Sequence, residues 1–207
     1  LDIMVSGSAA LQIRSARIFA AAEIPVMEGY GLTETSPVIT VNDTRNFGFR
    51  VGTVGKVIDG VTVKIAEDGE ILCKGPNVMM GYYKDEKLTS EVIIDDYFHT
   101  GDIGEFDTDG FLKITDRKKE MFKTSGGKYI APQLIENTMK QSRFIEQIMV
   151  IGDGQKMPSA FIQPSFDFIK EWAKIHKITI GTTNEEIVSN PKVIERIQEE
   201  VDKLNEK

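Results

Sequence analysis

The chain has 207 residues, 41% of them hydrophobic and 28% charged, and its 25 lysines and arginines against 32 aspartates and glutamates leave a net charge of −7. That length holds one large domain or two modest ones, and an acidic balance with no dominant basic face excludes nucleic acid as the main partner. A single cysteine, Cys73, rules out an internal disulfide and favours a reducing cytoplasm, and no apolar run approaches the roughly 18 residues of a membrane span.

The chain opens on Leu1-Asp2-Ile3 without a signal-peptide pattern and reads as part of a longer protein. Leu1 to Ser6 is a short apolar run broken at Ser6-Gly7-Ser8, as a buried strand breaks before a turn. Ala9 to Ala22 reads as a helix with Leu11, Ile18 and Phe19 near one face, and Pro25-Val26-Met27 as a second strand leading into a loop from Gly29 to Glu34. Strand, helix, strand is the parallel crossover unit, in which ligands bind beyond the carboxyl ends of the strands. From Asn42 to Leu112 short β segments alternate with glycines, and Asp68-Gly69 and Asp109-Gly110 read as hairpin turns. A small bent sheet or partial barrel is expected there, interrupted by a short helix over Lys84 to Glu91. After Thr115 the pattern changes again. Phe122 to Ile130 reads as a hairpin around Gly126-Gly127, and Pro132 opens a helix through about Gln141. Ile145–Ile151 and Ser159–Ile162 read as strands, and Asp167–His176 and Pro191–Leu204 as helices, with cap residues for a short helix at Thr182 to Glu185. The expected fold is mixed α/β and α+β: the end of a parallel α/β unit (1–41), a β subdomain (42–116) and a compact α+β domain (117–207).

Several residues stand out for their chemistry. Asp102, in a Thr-Gly-Asp turn, can accept hydrogen bonds from neighbouring hydroxyls. Arg117, Lys118, Lys119, Lys123 and Lys128 place five cations within twelve residues of an acidic chain, which suits a small polyanion such as ATP or coenzyme A. Ser125-Gly126-Gly127 lets backbone approach a ligand closely. Thr33 offers a hydroxyl and an N–H to a phosphate, and Glu34 the hard oxygen that Mg2+ prefers. Tyr30 can lie flat on a purine, with Gly29 and Gly31 letting the backbone come near. Each also has a plainer reading: Glu34 in water, Asp102 capping its own loop, Arg117 paired with Asp116 or Glu120, the lysines a solvated charge run. Asp107-Thr108-Asp109-Gly110 resembles the start of a calcium loop, but Lys118 stands where that loop needs glutamate. Ser125-Gly126-Gly127-Lys128 resembles the end of a Walker loop but lacks its first glycine and has Tyr129 in place of Ser or Thr. Two histidines, His99 and His176, and one cysteine make a zinc site or a Cys-His nucleophile pair improbable.

Two long motifs resemble those of the AMP-forming acyl-CoA synthetases, members of the adenylate-forming superfamily. One is MEGYGLTETSP at Met27–Pro37; the other comprises YFHTGD at Tyr97–Asp102, DTDGF at Asp107–Phe111, and DRKKE with TSGGKYIAP from Asp116 to Pro132. The resemblance implies adenine contacts at Glu28, Gly29 and Tyr30, with Gly31 beside the nucleotide, phosphate at Thr33, Mg2+ at Glu34, and ribose hydroxyls at Asp102 and Arg117. It implies a hinge at Lys119, a lysine of the second half-reaction at Lys123, and a pantetheine channel lined by Ser125, Gly126 and Gly127. Ser6-Gly7-Ser8-Ala9-Ala10 resembles the family's Ser-Gly-Gly-Ala stretch bordering the acyl and adenine pockets, but Ser8 replaces a glycine, so the pocket shape there is open.

The implied reaction is a two-step ligation using Mg2+, ATP, a carboxylic acid and coenzyme A. The wording of TSGGKYIAPQ, with Lys128 where many short-chain and aryl members have Glu, looks most like the long-chain fatty acid group, for which a cytoplasmic location with peripheral membrane contact is reasonable. The family's phosphate loop is expected upstream of Leu1 and its late adenylation lysine downstream of Lys207, so this chain alone is expected to be inactive. An adenylation domain loading a carrier protein and a non-catalytic nucleotide- or acyl-CoA-binding module are the competing readings.

Overall fold

The computed structural model describes residues 4–7, 11–45 and 48–205. Ser8 and the start of the expected first helix lie outside these. Two compact units divide after Glu120: Leu1–Glu120 and Met121–Lys207. Arg117–Glu120 therefore pack with the first unit.

The first unit begins as expected. β1 (Met4–Ser6), α1 (Ile13–Ala21) and β2 (Val26–Tyr30) form a crossover, with β1 and β2 parallel and Ser6 opposite Glu28. The face of α1 differs from expectation. Ala16 is its buried residue, while Ile18 and Phe19 are exposed. At 100° per residue Ile18 lies roughly opposite Ala16, on the outward face. β2 also runs further than expected, taking in Glu28, Gly29 and Tyr30, and a 3-10 turn at Thr33–Thr35 follows it. β3 (Thr40–Val41) and β4 (Lys56–Val57) extend the sheet antiparallel in the order β1-β2-β3-β4.

Beyond it lies an antiparallel sheet that is open, not a barrel. β5 (Thr62–Ile65) and β6 (Glu70–Lys74) form a hairpin across the Asp68-Gly69 turn. After α2 (Glu86–Val92) and β7 (Ile93–Ile94) comes β8 (Tyr97–Phe106), the longest strand. β6 pairs with one edge of β8, and the other edge takes β7 and then β9 (Leu112–Arg117). The β8–β9 turn is closed by Asp107, whose carboxylate accepts the N–H groups of Asp109 and Phe111 at 2.9 Å and pairs with Arg50. The calcium-loop lookalike is thus a hairpin latch. Tyr30, Ile39, Ile71, Cys73 and Leu112 form a core shared by the two sheets.

In the second unit, β10 (Phe122–Lys123) and β11 (Tyr129–Ile130) form the expected hairpin, with Gly126 and Gly127 at its tip. α3 (Pro132–Met139) starts at proline, as expected. β12 (Ile145–Ile151) pairs antiparallel with β13 (Ser159–Pro164). α4 (Phe166–Ile175), α5 (Asn184–Val188) and α6 (Pro191–Asn205) follow, and α5 is held by a capping box between Thr183 and Glu186. One apolar cluster centres on Phe144, Ile169, Ile187 and Val193, with Phe168 and Trp172 edge-on to Phe144 at 4.9 and 5.6 Å. A second gathers Met139, Ile145 and Ile148.

Candidate active site

Asp102 stands on a bulge in β8, not in the turn its Thr-Gly-Asp sequence suggests. Leu72 of β6 faces His99, and Glu70 faces Ile103, so Ile71 alone is opposed by Thr100, Gly101 and Asp102. A bulge orphans backbone donors and re-aims a side chain. Here the donors are satisfied locally and from β6. The Gly101 N–H donates to Glu70 Oε1 at 2.9 Å, and the Asp102 N–H to Thr100 Oγ1 at 3.1 Å, while that hydroxyl donates to Ile71 O at 2.8 Å. Gly101 has φ +74°, a left-handed conformation that glycine adopts without steric cost.

The aim of the bulge brings the expected pair together. Asp102 and Arg117 are register partners on β8 and β9, with Arg117 Nε 3.3 Å from Asp102 Oδ1. Asp102 is 9% exposed and Arg117 63%, so the carboxylate is sunk while the guanidinium faces water. The other carboxylate oxygen accepts the Tyr30 hydroxyl at 2.7 Å. Burial pushes the Asp102 carboxyl up, and the Tyr30 bond and Arg117 only partly offset this. Burial, with Asp102 beside it, pushes the Tyr30 phenol well up.

Tyr30 is therefore not an open stacking platform. Its ring belongs to the shared core and is only 9% exposed, because β2 continues through it and the hydroxyl reaches across to β8. It ties the carboxyl end of β2 to the bulge. Gly31, next along, comes so close to Pro37 that a Cβ would lie 1.6 Å from the Pro37 carbonyl oxygen. Thr35, fully buried, accepts the Leu32 N–H at 2.9 Å and pins the 3-10 turn. Thr33 is left exposed at the loop surface. Glu34 is half-buried: its carboxylate accepts the Tyr82 hydroxyl at 2.9 Å, and its carbonyl the Met79 N–H at 2.8 Å. Glu28 is buried, pushed up by burial, and turned toward Leu11, whose N–H it accepts at 3.1 Å. Gly29 lies close under Thr40 O, and Gly7 is exposed at the end of β1.

The remaining expected residues lie near or beyond the division between units. Lys119 is exposed in the turn at 118–120. In the second unit Lys123 stacks its ammonium 4.4 Å from the centre of the Tyr129 ring. Its carbonyl accepts the Gly154 N–H, and the Ser125 N–H donates to Gln155 O, both at 2.8 Å, which anchors the hairpin while its tip at Gly126 and Gly127 stays exposed.

Two participants escaped the reading of the sequence. Tyr82 holds Glu34, and Glu70 holds the bulge. Glu70 is buried, with His99 Nδ1 at 2.9 Å and Lys118 Nζ at 2.7 Å from Oε2. Burial alone would raise its carboxyl, but Lys118, His99 and the Gly101 N–H together hold it below the usual range. Neither was visible locally, since Tyr82 meets Glu34 across 48 residues and Glu70 meets Gly101 across 31.

Magnesium fits this donor set. Among the described residues no group of three or more acidic, histidine or cysteine ligands gathers. Mg2+ needs no such cage, since it keeps waters and binds through one or two carboxylates and substrate phosphates. Glu34, oriented by the Tyr82 hydroxyl, would suit such a role.

Residues 1–83 match the family of AMP-binding enzymes, and residues 120–207 match the AMP-binding enzyme C-terminal domain. A Mycobacterium bovis long-chain-fatty-acid–CoA ligase, FadD15, is 36% identical over 201 residues, covering 97% of this chain and 33% of that protein. Long chain acyl-CoA synthetase 3 of Arabidopsis thaliana is 38% identical over 194 residues, covering 86% and 29%. Among solved structures, O-succinylbenzoate coenzyme A synthetase from Bacillus subtilis, in complex with ATP and magnesium ion, has a TM-score of 0.66 at 27% identity, covering 81% of this chain and 39% of that one. The chain belongs to the adenylate-forming AMP-binding enzymes, among the acyl-CoA synthetases. It spans about a third of the length of the curated relatives it matches.

Proposed function

We propose that the chain is part of an AMP-forming fatty acid–CoA ligase whose acids are long-chain. In the first half-reaction a fatty acid carboxylate oxygen attacks the α-phosphorus of ATP, and the bond to pyrophosphate breaks, leaving acyl-AMP. In the second, the sulfur of coenzyme A attacks the acyl carbonyl, the thiol proton departs, and AMP leaves as the thioester forms. The observation behind this reading is the Asp102–Arg117 pair fixed by Tyr30 at the end of the strand that leads to Thr33 and Glu34.

Asp102 accepts the ribose hydroxyls, and Arg117 donates beside it. Thr33 donates to a phosphate oxygen, the backbone at Glu28, Gly29, Tyr30 and Gly31 borders the adenine, and Gly7 edges the same pocket. Glu34 would hold magnesium, which when bound would offset the charge that develops on the phosphates. Lys123 serves the second half-reaction, with Ser125, Gly126 and Gly127 along the pantetheine of coenzyme A. Lys119, in the turn just before the division after Glu120, is the pivot between the large domain and the small one, a solvated residue suiting a hinge. The long-chain assignment rests on the names of the relatives and on the Thr124–Pro132 motif. No helix among the described residues is long and apolar enough to cross a membrane. A cytoplasmic enzyme with peripheral membrane contact is the accompanying reading.

The test is acid-dependent ATP–pyrophosphate exchange by the intact protein, from acetate to long-chain acids, with Glu34→Ala as control. Exchange that rises with chain length and collapses in Glu34→Ala is expected. A maximum on short or aryl acids would overturn the long-chain assignment, and ATP binding with no exchange on any acid would overturn the ligase.

A further inference from the structure

We propose that Glu70 is a positioning residue for nucleotide binding: by gripping both flanks of the Asp102–Arg117 pair, it sets where the ribose is held. The proposal rests on the ribose reading above. On one flank Glu70 Oε1 takes the N–H of Gly101, the residue before Asp102. On the other, Oε2 takes the ammonium of Lys118, the residue after Arg117, at 2.7 Å. The Lys118 N–H closes the loop by donating to Gly101 O at 2.8 Å. One carboxylate thus spans β8 and β9 just beside their site-bearing positions, without touching either site side chain.

Stability alone is a poor account of this arrangement. Glu70 is 3% exposed, and burying a carboxylate costs more than a packed apolar side chain of similar size would. What the carboxylate provides and an apolar residue cannot is three fixed acceptor directions: Gly101, Lys118 and His99. The Gly101 bond also helps hold the bulge. Without an acceptor for that N–H, Thr100-Gly101-Asp102 has reason to slide back into regular pairing, which would turn Asp102 away. Asp68 gives Lys118 a second acceptor at 2.7 Å, but it is half exposed and does not reach the bulge.

The test compares AMP with 2′,3′-dideoxy-AMP by calorimetry on the intact protein. Wild type is expected to prefer AMP, and Glu70→Met, which removes every acceptor, to lose about tenfold of that preference, the scale of one charge-assisted hydrogen bond, with dideoxy-AMP affinity unchanged. A role in stability alone would lower the active fraction and leave the ratio of the two dissociation constants intact. A folded Glu70→Met protein with the wild-type ratio overturns the proposal. Should Glu70→Met not fold, Lys118→Met decides: its side chain is 46% exposed, and it is expected to move the ratio in the same direction by a smaller factor. An unchanged ratio there also overturns the proposal. A wild type that binds both nucleotides alike overturns the ribose reading itself.

Discussion

Replacing Tyr30 with phenylalanine removes one oxygen and leaves the ring in its core. That oxygen donates to Asp102 at 2.7 Å, and Asp102 is 9% exposed, so water has little room to take its place. A hydrogen bond to a charged group contributes about 1.5–3 kcal/mol, and a loss of about 2 kcal/mol at neutral pH is expected. Arg117 offers a contrast on the same carboxylate. Its 3.3 Å pair is made by a side chain 63% exposed and screened by solvent, so Arg117→Ala is expected to cost about 1 kcal/mol or less. Hydrogen exchange of the β8 and β9 amides reads these free energies locally. The pH dependence has a definite sign. Asp102 already sits above its ordinary value, chiefly through burial, so its ionised form disfavours folding at neutral pH and protonation relieves this as pH falls. Without Tyr30 the folded value moves higher still. The Tyr30→Phe penalty is therefore full where Asp102 is ionised in both proteins, and disappears as pH falls through the wild-type value. A penalty no larger than that of Arg117→Ala, or one that grows as pH falls, would refute the account of Asp102 as a buried carboxylate held chiefly by the phenol.

Gly31→Ala places a methyl 1.6 Å from the Pro37 carbonyl oxygen, which is rigid backbone. A stability loss of about 3 kcal/mol is expected, read by thermal unfolding, together with weaker ATP binding because the loop must shift. Tyr82→Phe frees Glu34 from its 2.9 Å donor. Stability is expected to fall by about 1 kcal/mol or less, while the Mg2+ concentration giving half-maximal pyrophosphate exchange rises about threefold to tenfold, the scale of a single hydrogen bond. An unchanged Mg2+ titration would show that Tyr82 does not orient Glu34.

The parts of the molecule legible in sequence are those governed by neighbouring residues. Pro132 and Pro191 begin helices, Asp68-Gly69 and Asp109-Gly110 turn hairpins, and Thr183 caps α5, because each effect is complete within about five residues. Asp102 and Arg117 were legible as site candidates through a resemblance in their motifs. The geometry that joins them was not. The bulge arises from how β6 pairs with β8, and a pairing across about thirty residues leaves no local period to read. The same holds for Tyr30, whose burial depends on Ile71, Cys73 and Leu112 closing around it from the other sheet. On α1, apolar content suggested Leu11, Ile18 and Phe19 as one face, whereas the residue that becomes buried is the small Ala16.

The two buried carboxylates of the bulge differ in how fully they are satisfied, and that difference sorts their roles. Glu70 accepts from an ammonium, an imidazole and a backbone N–H, enough to overcome burial and hold it below its ordinary range. A group so saturated has little left to offer a ligand and is suited to scaffold work. Asp102 receives one phenol and one loosely placed guanidinium, too little to overcome burial, and stays above its ordinary range. Its ionised form is the one that gains from further donors. Two adjacent hydroxyls supply such donors, so a vicinal diol bound at Asp102 should draw its carboxyl back down and release a fraction of a proton. Folding tolerates an under-satisfied carboxylate here because Glu70, Thr100 and Tyr30 hold the bulge around it.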